Sequence, residues 1–470
     1  MVKRIKEYLY IEHYNVETIG LILLILFIPV MINTPGRPLF PEPIGSKIQI
    51  VDFIFLFLLA AWLYKLCHNQ IRFNRTSLAV PLVFYLVASL LSLLNSSNIN
   101  NSLVEFVGIF YLITLFYLVV NVIKDRNMFE MAINSWLITS ALVAFLGILG
   151  IVLAYVFGVK TFLVREYPAF PYLGHIYRAY STFGVNSKFV SSYLTISLPI
   201  CLALLLNSKA GKKRLFYYVI LISFVCVLLF TFSRGWFGLA VATYLVLARF
   251  QKTERYYRFV KVLVILFIIL FGLLISMIAR WQFVDFQLKK ITVENKTNIP
   301  PNIAITDNSE VLEKIRVEVG YIDTAYYRFK MVAIEMIQDH PLIGVGLGGF
   351  NDEISRYKEE KKLSDIFPAM DPHCMILGKA AQTGLVGLIA LVILWGKSIR
   401  KALNMSFTSR DNYFQIISWA MFSSMVGFVI QSIDMDIMNF RFLWFLFAFV
   451  FVVESLESTS KSHICEGPQT

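Results

Sequence analysis

The chain has 470 residues, of which 57% are hydrophobic and 16% are charged, and its mean hydropathy is +0.66. Soluble proteins average about 25% charged residues, so the composition excludes an ordinary soluble domain and indicates a polytopic membrane protein. The formal net charge of +12 invites a nucleic-acid partner, but the placement of the basic residues argues against one, as the connections below show.

Apolar runs of roughly 17–25 residues recur along the chain, the length that a helix needs to cross a ~30 Å hydrocarbon core. They do not alternate as transmembrane strands do. The sequence therefore predicts an all-α polytopic membrane protein with about 12 transmembrane helices. The first run follows basic residues and lacks a cleavage pattern, which predicts a retained span. The predicted spans cover approximately residues 19–33, 50–66, 78–94, 103–123, 131–157, 188–207, 215–232, 235–249, 259–279, 374–396, 413–431 and 441–457.

Basic residues concentrate in alternate connections between these spans, whereas residues 95–102 contain none. Cytoplasmic loops carry an excess of Lys and Arg, so the basic set is predicted to be cytoplasmic, with both termini on that side. The assignment requires a reversal at Ser233-Arg234-Gly235, because the apolar stretch around this tripeptide has basic residues on both flanks. Two helices, the second one short, are therefore predicted there.

With inner and outer connections alternating in this way, two larger segments are predicted on the outer side, residues 158–187 and 280–372. Three parts are predicted: transmembrane helices 1–9 in residues 1–279, an extracytoplasmic loop in residues 280–372, and helices 10–12 with a short cytoplasmic tail in residues 373–470. Within the loop, residues 323–338 have the apolar spacing of an amphipathic surface helix. The prolines and glycines of residues 341–349 predict a tight turn after it.

Four side chains on the predicted outer side are candidates for chemistry. Arg234 lies at the tip of an apolar hairpin, where a charge is costly and is a functional hypothesis, although an arginine that snorkels to headgroups is the competing interpretation. His373 begins a span, and a neutral imidazole takes a proton from a hydroxyl near pH 7. A satisfied interfacial histidine is its simpler explanation. Arg178 and Arg328 are each ordinary interfacial cations alone.

The convergence of these four residues on one face is the informative feature. Arginine binds phosphate oxygens in bidentate geometry, which suits a lipid-linked pyrophosphate in the headgroup plane. Cys374 beside His373 makes a poor nucleophile–base pair, because adjacent residues on a helix point about 100° apart. The glycines of residues 344–349 lack the lysine and the strand of a phosphate-binding loop, so a turn is favoured.

Other polar residues point less clearly to chemistry. The five cysteines lack metal-ligand spacing, and no metal site or cofactor is predicted. Asp434 and Asp436 are interpreted as solvated or ion-paired. Glu105 and Lys379 lie inside predicted spans, where Lys379 either pairs with Glu105 or lines a donor site.

Four motifs together resemble the bacterial O-antigen ligase and O-antigen polymerase superfamily of polytopic glycosyltransferases. Residues 178–199 resemble its "R…TFG.N…YL…LP" region, and Ser233-Arg234-Gly235 resembles its "SRG" hairpin. Arg328 with residues 340–350 resembles "R…hPl.GvG..f", and His373 with residues 378–387 resembles "H…L…aE.Gl.G". Cys374 stands where the family usually has Asn, and Gln382 where it usually has an acid.

The resemblance implies a GT-C-like fold with a long loop between helices 9 and 10. It further implies metal-independent, inverting transfer of a glycan from undecaprenyl diphosphate to an acceptor hydroxyl, at the outer face of the bacterial inner membrane. His373 would be the general base. Arg234 and Arg328, assisted by Arg178, would bind the diphosphate and stabilise its charge as it leaves.

Several alternatives stay open at this stage. A ligase uses the lipid A core as acceptor and a polymerase uses the growing glycan, and the two share these motifs. A protein-glycosylating relative is a further variant, against which the lack of a sizeable C-terminal soluble domain weighs. A polysaccharide or lipid transporter is the alternative of another class, and it predicts polar or broken helices near the membrane midplane.

Overall fold

A computed structural model describes residues 16–31, 48–170, 174–184, 186–233, 235–250, 325–360 and 372–465. These residues form 13 helices and one two-stranded sheet. The helices are α1 Val16–Phe27, α2 Ile50–Cys67, α3 Ala79–Ser92, α4 Ile99–Val122, α5 Arg126–Phe157, α6 Ser187–Asn207, α7 Lys212–Leu229, α8 Trp236–Arg249, α9 Ala325–Asp339, α10 Phe350–Glu360, α11 Met375–Thr408, α12 Asn412–Gln431 and α13 Arg441–Cys465. The strands are β1 Val164–Phe170 and β2 Gly174–Ala179.

The helices confirm the predicted all-α polytopic class. Six of the described helices, α2, α4, α5, α6, α11 and α12, are long and apolar enough to cross a membrane. Every predicted span except residues 259–279, which lie outside the described residues, coincides with a helix. The largest difference in length is α11, which continues to Thr408, past the predicted end at residue 396.

Two helices form the centre of the bundle. In α13, every residue from Phe442 to Val453 is buried, and in α6 89% of the apolar window is buried. A helix that is apolar all round belongs in an interior, whereas α2 and α7 expose many large apolar side chains, as lipid-facing helices do. The aromatic rings of Trp136, Tyr193 and Phe445 pack together where α5, α6 and α13 meet.

The chain reverses between α7 and α8, as the basic flanks predicted. Ser191 near the start of α6 contacts Ser233, while Cys201 further along α6 contacts Tyr217, so α6 and α7 are antiparallel. Helices α7 and α8 are separate helices, where one continuous helix was the alternative. Arg234, which lies between the two helices in sequence, is outside the described residues.

The basic connections gather at the opposite end of the bundle from this turn. Glu17 forms ion pairs with Lys65 at 3.1 Å and with Lys124 at 3.2 Å, which joins three of these connections. Arg126 forms an ion pair with Asp411, and the Arg249 guanidinium donates to the Ser406 carbonyl at 3.4 Å. This arrangement agrees with the predicted division of the connections into two sets. The side of the membrane on which each end lies stays a prediction.

The connection between α5 and α6 contains a β-hairpin that the sequence did not reveal. Strands β1 and β2 pair antiparallel, with Val164 opposite Ala179 and Arg165 opposite Arg178. The Leu163 carbonyl accepts from Tyr180 and Ser181 at 2.8 Å, and Ala179 N donates to the Phe230 carbonyl at 2.8 Å. The hairpin is thereby anchored to the end of α7 beside the reversal turn.

The described part of the long polar segment consists of α9, α10 and a glycine loop. The predicted amphipathic helix is α9, and its apolar face packs on the protein: Phe329, Val332 and Met336 are buried with Ala381 of α11. Helix α10 was not predicted. Its Tyr357 donates to Asp339 at 2.7 Å, and burial together with this bond raises the pKa of the phenol. Residues 280–324 and 361–371 lie outside the described residues.

The glycine loop, residues 340–349, fills a break in α11. Gly384 has φ +63° inside the helix, and four hydrogen bonds cross to the loop. Leu385 N donates to the Pro341 carbonyl at 2.8 Å, and Val386 N to the Leu342 carbonyl at 3.3 Å. In return, Val345 N and Gly346 N donate to the carbonyls of Ala381 and Gln382, at 2.9 and 3.1 Å. The loop thus satisfies the backbone groups that the broken helix exposes.

Candidate active site

The reversal turn is supported from behind by small polar side chains. The hydroxyls of Ser191 and Ser233 lie 2.8 Å apart, and Gly235 N donates to Ser233 Oγ at 3.2 Å. Gln431, at the end of α12, donates from Nε2 to Ser192 Oγ at 2.8 Å. All of these side chains except Gly235, which has none, are almost inaccessible to solvent. They fix the backbone on both sides of Arg234.

Glycines allow α8 to approach α12 closely at this point. A Cβ atom on Gly235 would lie 2.5 Å from Gln431 Nε2 and 2.8 Å from Ser191 Oγ. One turn further, a Cβ on Gly238 would lie 2.2 Å from the carbonyl oxygen of Gly427. Small residues let membrane helices pack backbone against backbone. The position of the turn is therefore set by direct contact with the end of α12.

Arg178 is held against the same turn. It lies on β2, opposite Arg165, and its guanidinium carbon is 5.8 Å from the centre of the Phe232 ring. Phe232 has φ +47°, which is unusual for a residue with a side chain. The structure thus brings the first and second predicted motifs into contact.

His373 lies outside α11, which begins only at Met375. Its backbone has φ +45° and its side chain is half-buried. Cys374 also precedes the helix, so the separation of about 100° expected for adjacent helical residues does not apply to His373 and Cys374. Cys374 is buried at the helix start. Met375 N donates to the Ser432 carbonyl at 2.8 Å, which ties the residues after His373 to the end of α12.

Arg328 lies in the first turn of α9, but its side chain is outside the described residues. Two residues later, Lys330 Nζ donates to the Ile433 carbonyl at 3.0 Å, and Phe329 is buried. The helix is therefore anchored beside the end of α12 at the position of Arg328. This contact brings the third motif to the same place as the other three.

The glycine loop is not a phosphate cradle. Its backbone N–H groups at Gly344, Val345, Gly346 and Gly349 all donate to protein carbonyls. The positive φ angles of Gly344, Gly346 and Gly348 serve close packing against α11 and the connection between α3 and α4. Asn95 of that connection donates to the Gly344 carbonyl at 2.9 Å. The predicted turn is confirmed, and its role is structural.

The acids near the site are ion-paired, which is one of the two interpretations that the sequence left open. Asp434 pairs with Lys188 at 3.0 Å, and Asp436 pairs with Lys379 at 3.0 Å. The nearby Arg441 forms an ion pair with Asp52 of α2. The partner found for Lys379 is thus Asp436, while Glu105 acts on it electrostatically. Among the described residues, no group of three or more His, Cys, Asp and Glu side chains has the arrangement of a metal site.

Four motifs that are distant in sequence therefore meet around the end of α12. Residues 217–392 match the family model described as O-antigen ligase. This match supports membership in the O-antigen ligase superfamily. The matched O-antigen ligase region includes Arg234, Arg328 and His373, whereas Arg178 precedes it. That family implies a glycosyltransferase-like enzyme with glycan or lipid-linked substrates. No curated protein matches the chain.

Sequence reasoning missed the residues that connect these motifs. Ser191, Ser192 and Gln431 are polar residues within apolar helices. This departure from the apolar pattern was the signal that could have identified them. Lys188 and Lys330 carried no signal, because isolated lysines near a membrane surface are common. Their importance appears only when the elements are packed, since Lys188 bonds to Asp434 and Lys330 to Ile433, both beyond the end of α12.

Proposed function

We propose that this protein transfers a glycan from undecaprenyl diphosphate to a sugar hydroxyl of the lipid A core, at the outer face of the bacterial inner membrane. One observation carries the proposal. The Lys188–Asp434 ion pair, the backing of the Ser233–Gly235 turn, the Lys330 bond and the Met375 bond all adjoin residues at or next to the end of α12. The described residues next to Arg234, Arg328 and His373 thereby lie around one region at one end of the bundle.

His373 acts as the general base in this proposal. The imidazole takes the proton of the acceptor hydroxyl as the oxygen forms its bond to the anomeric carbon. The bond between that carbon and the diphosphate oxygen breaks, and its electron pair leaves with undecaprenyl diphosphate. Direct displacement inverts the anomeric centre. Positioning and electrostatics suffice for this step, without a covalent intermediate.

The arginines stabilise the leaving group. Arg234 and Arg328 bind the diphosphate, whose negative charge grows as the glycosidic bond breaks, and Arg178 assists them. Arg178 is the one of the three whose surroundings are described, and its guanidinium lies against Phe232. A planar guanidinium over a ring keeps its edge available for phosphate oxygens.

The transporter alternative is disfavoured by the break in α11. Transporters use the free backbone groups of broken helices to hold substrates or ions. Here the glycine loop occupies those groups with four hydrogen bonds. The buried Lys379 is also paired within the protein, at 3.0 Å from Asp436. The break is therefore filled by the chain itself.

The test uses the purified full-length protein in nanodiscs with an undecaprenyl diphosphate-linked glycan. Lipid A core and a free lipid-linked glycan are offered separately as acceptors. We expect transfer to the lipid A core, and loss of that transfer in His373→Ala and Arg234→Ala with unchanged thermal unfolding. Elongation of the glycan instead would identify a polymerase. Retained transfer in both variants would contradict the mechanism, and a divalent-ion requirement after exhaustive chelation would contradict its metal independence.

A further inference from the structure

The connection between α12 and α13, residues 432–440, is held by three helices, α6, α9 and α11. Lys188 of α6, which follows the Arg178 motif, pairs with Asp434. Lys330 of α9 donates to the Ile433 carbonyl. Met375 N, two residues after His373, donates to the Ser432 carbonyl. The connection lies beyond the residues that match the O-antigen ligase family.

One further contact holds this connection from inside the bundle. Lys379, on the first part of α11, is 2% exposed, and its Nζ lies 3.0 Å from Asp436 Oδ2. Asp436 Oδ1 accepts from Met438 N at 3.0 Å, so both carboxylate oxygens are engaged. Tyr85 and Glu105 lie near enough to act electrostatically on Lys379. Lys379 is therefore buried near α3 and α4, and it reaches the partly exposed Asp436 of the connection from the interior of the bundle.

We infer that Lys379 is a positioning residue for the transfer reaction. Its ion pair with Asp436 fixes residues 432–440, and these residues set the spacing between His373 and α9, which carries Arg328. The inference rests on the proposed function. A buried lysine costs free energy unless it is paired, and α11 could pack with an apolar residue here. Displacing a reacting group by about 1 Å costs on the order of 100-fold in rate, which explains the use of a rigid pair.

The experiment compares variants that remove the charges singly and together. Lys379→Met keeps the length of the side chain, and Asp436→Asn keeps an acceptor for Met438 N. Each single variant leaves one buried charge uncompensated, so we expect lowered thermal stability and reduced transfer in both. The double variant Lys379→Met/Asp436→Asn removes both charges of the pair, so neither is left without its partner. We expect it to regain wild-type thermal stability while its kcat stays at least about tenfold low, with little change in the KM for the lipid-linked donor.

A matched pair on the same helix controls for general effects of removing an ion pair. Lys401 of α11 lies 2.5 Å from Glu454 of α13, roughly 30 Å from Lys379 at 1.5 Å per residue. We expect Lys401→Met/Glu454→Gln to transfer glycan at the wild-type rate. Wild-type kcat in the Lys379→Met/Asp436→Asn protein would overturn the inference. Absence of transfer by the wild-type protein would instead contradict the proposed function.

Discussion

The guanidinium of Arg178 and the ring of Phe232 lie 5.8 Å apart, which joins the β-hairpin to the reversal turn next to Arg234. The contact orients a long, flexible cation beside the proposed diphosphate site. A cation over an aromatic face is worth about 0.5–2 kcal/mol, depending on desolvation. Phe232 also occupies a backbone conformation that few residues with side chains adopt.

Removal of the Phe232 ring tests this contact. We expect Phe232→Leu to lower transfer several-fold by raising the KM for the lipid-linked donor, because Arg178 loses its support while the apolar bulk remains. The matched control is Phe407→Leu, which removes the ring that lies 4.8 Å from Arg249 at the other end of the bundle. Steady-state kinetics with varied donor measure both variants. Equal KM values in Phe232→Leu and wild type would contradict the assignment of Arg178 to the donor.

A methyl group on Gly235 tests the backing of the turn. Gly235 has φ −54°, so alanine is not strained there, but its Cβ would lie 2.5 Å from Gln431 Nε2. The amide must then leave Ser192 and the turn must shift. We expect Gly235→Ala to lose about tenfold or more in kcat with a small change in melting temperature. Gly396→Ala is the control, since nothing lies within 4 Å of its added Cβ, and it should transfer normally.

A substitution at Gly384, in the break of α11, is expected to cause a folding defect and not a catalytic one. A Cβ on Gly384 would lie 2.2 Å from the Leu342 carbonyl oxygen, and Gly384 has φ +63°. We expect Gly384→Ala to destabilise or unfold the protein, observed as loss of a monodisperse peak in detergent. Gly158 has φ +66° with open space around it, so Gly158→Ala should cost only about 1–2 kcal/mol. A fully stable Gly384→Ala protein would show that the glycine loop does not fill the break tightly.

The backbone of His373 provides a way to remove the imidazole without strain. Its φ of +45° favours glycine over any residue with a Cβ. We therefore expect His373→Gly to insert and unfold like the wild type, or to be slightly more stable, and to have no measurable transfer. Thermal unfolding and the transfer assay on the same preparation separate the two effects. Transfer above the uncatalysed background would remove His373 from the role of general base.

The sequence by itself determined the membrane class and the order of the helices. Apolar runs of spanning length and alternating basic connections carry this information locally, because the bilayer imposes length and charge along the chain. The same local signals predicted the reversal at Ser233-Arg234-Gly235 and the helix that became α9. Family motifs also pointed to Arg178, Arg234, Arg328 and His373 before any contact was known.

Only the tertiary structure decided how these motifs are held together. The β-hairpin was invisible because its two strands are short and stabilise each other through pairing. The partner of Lys379 could not be read from the chain, since Asp436 is 57 residues away in sequence and Glu105 was an equally good candidate. Ion pairs and backbone bonds to residues 432–440 depend on where the helices pack. That packing brings the connection after α12, which no motif marks, into contact with α6, α9 and α11.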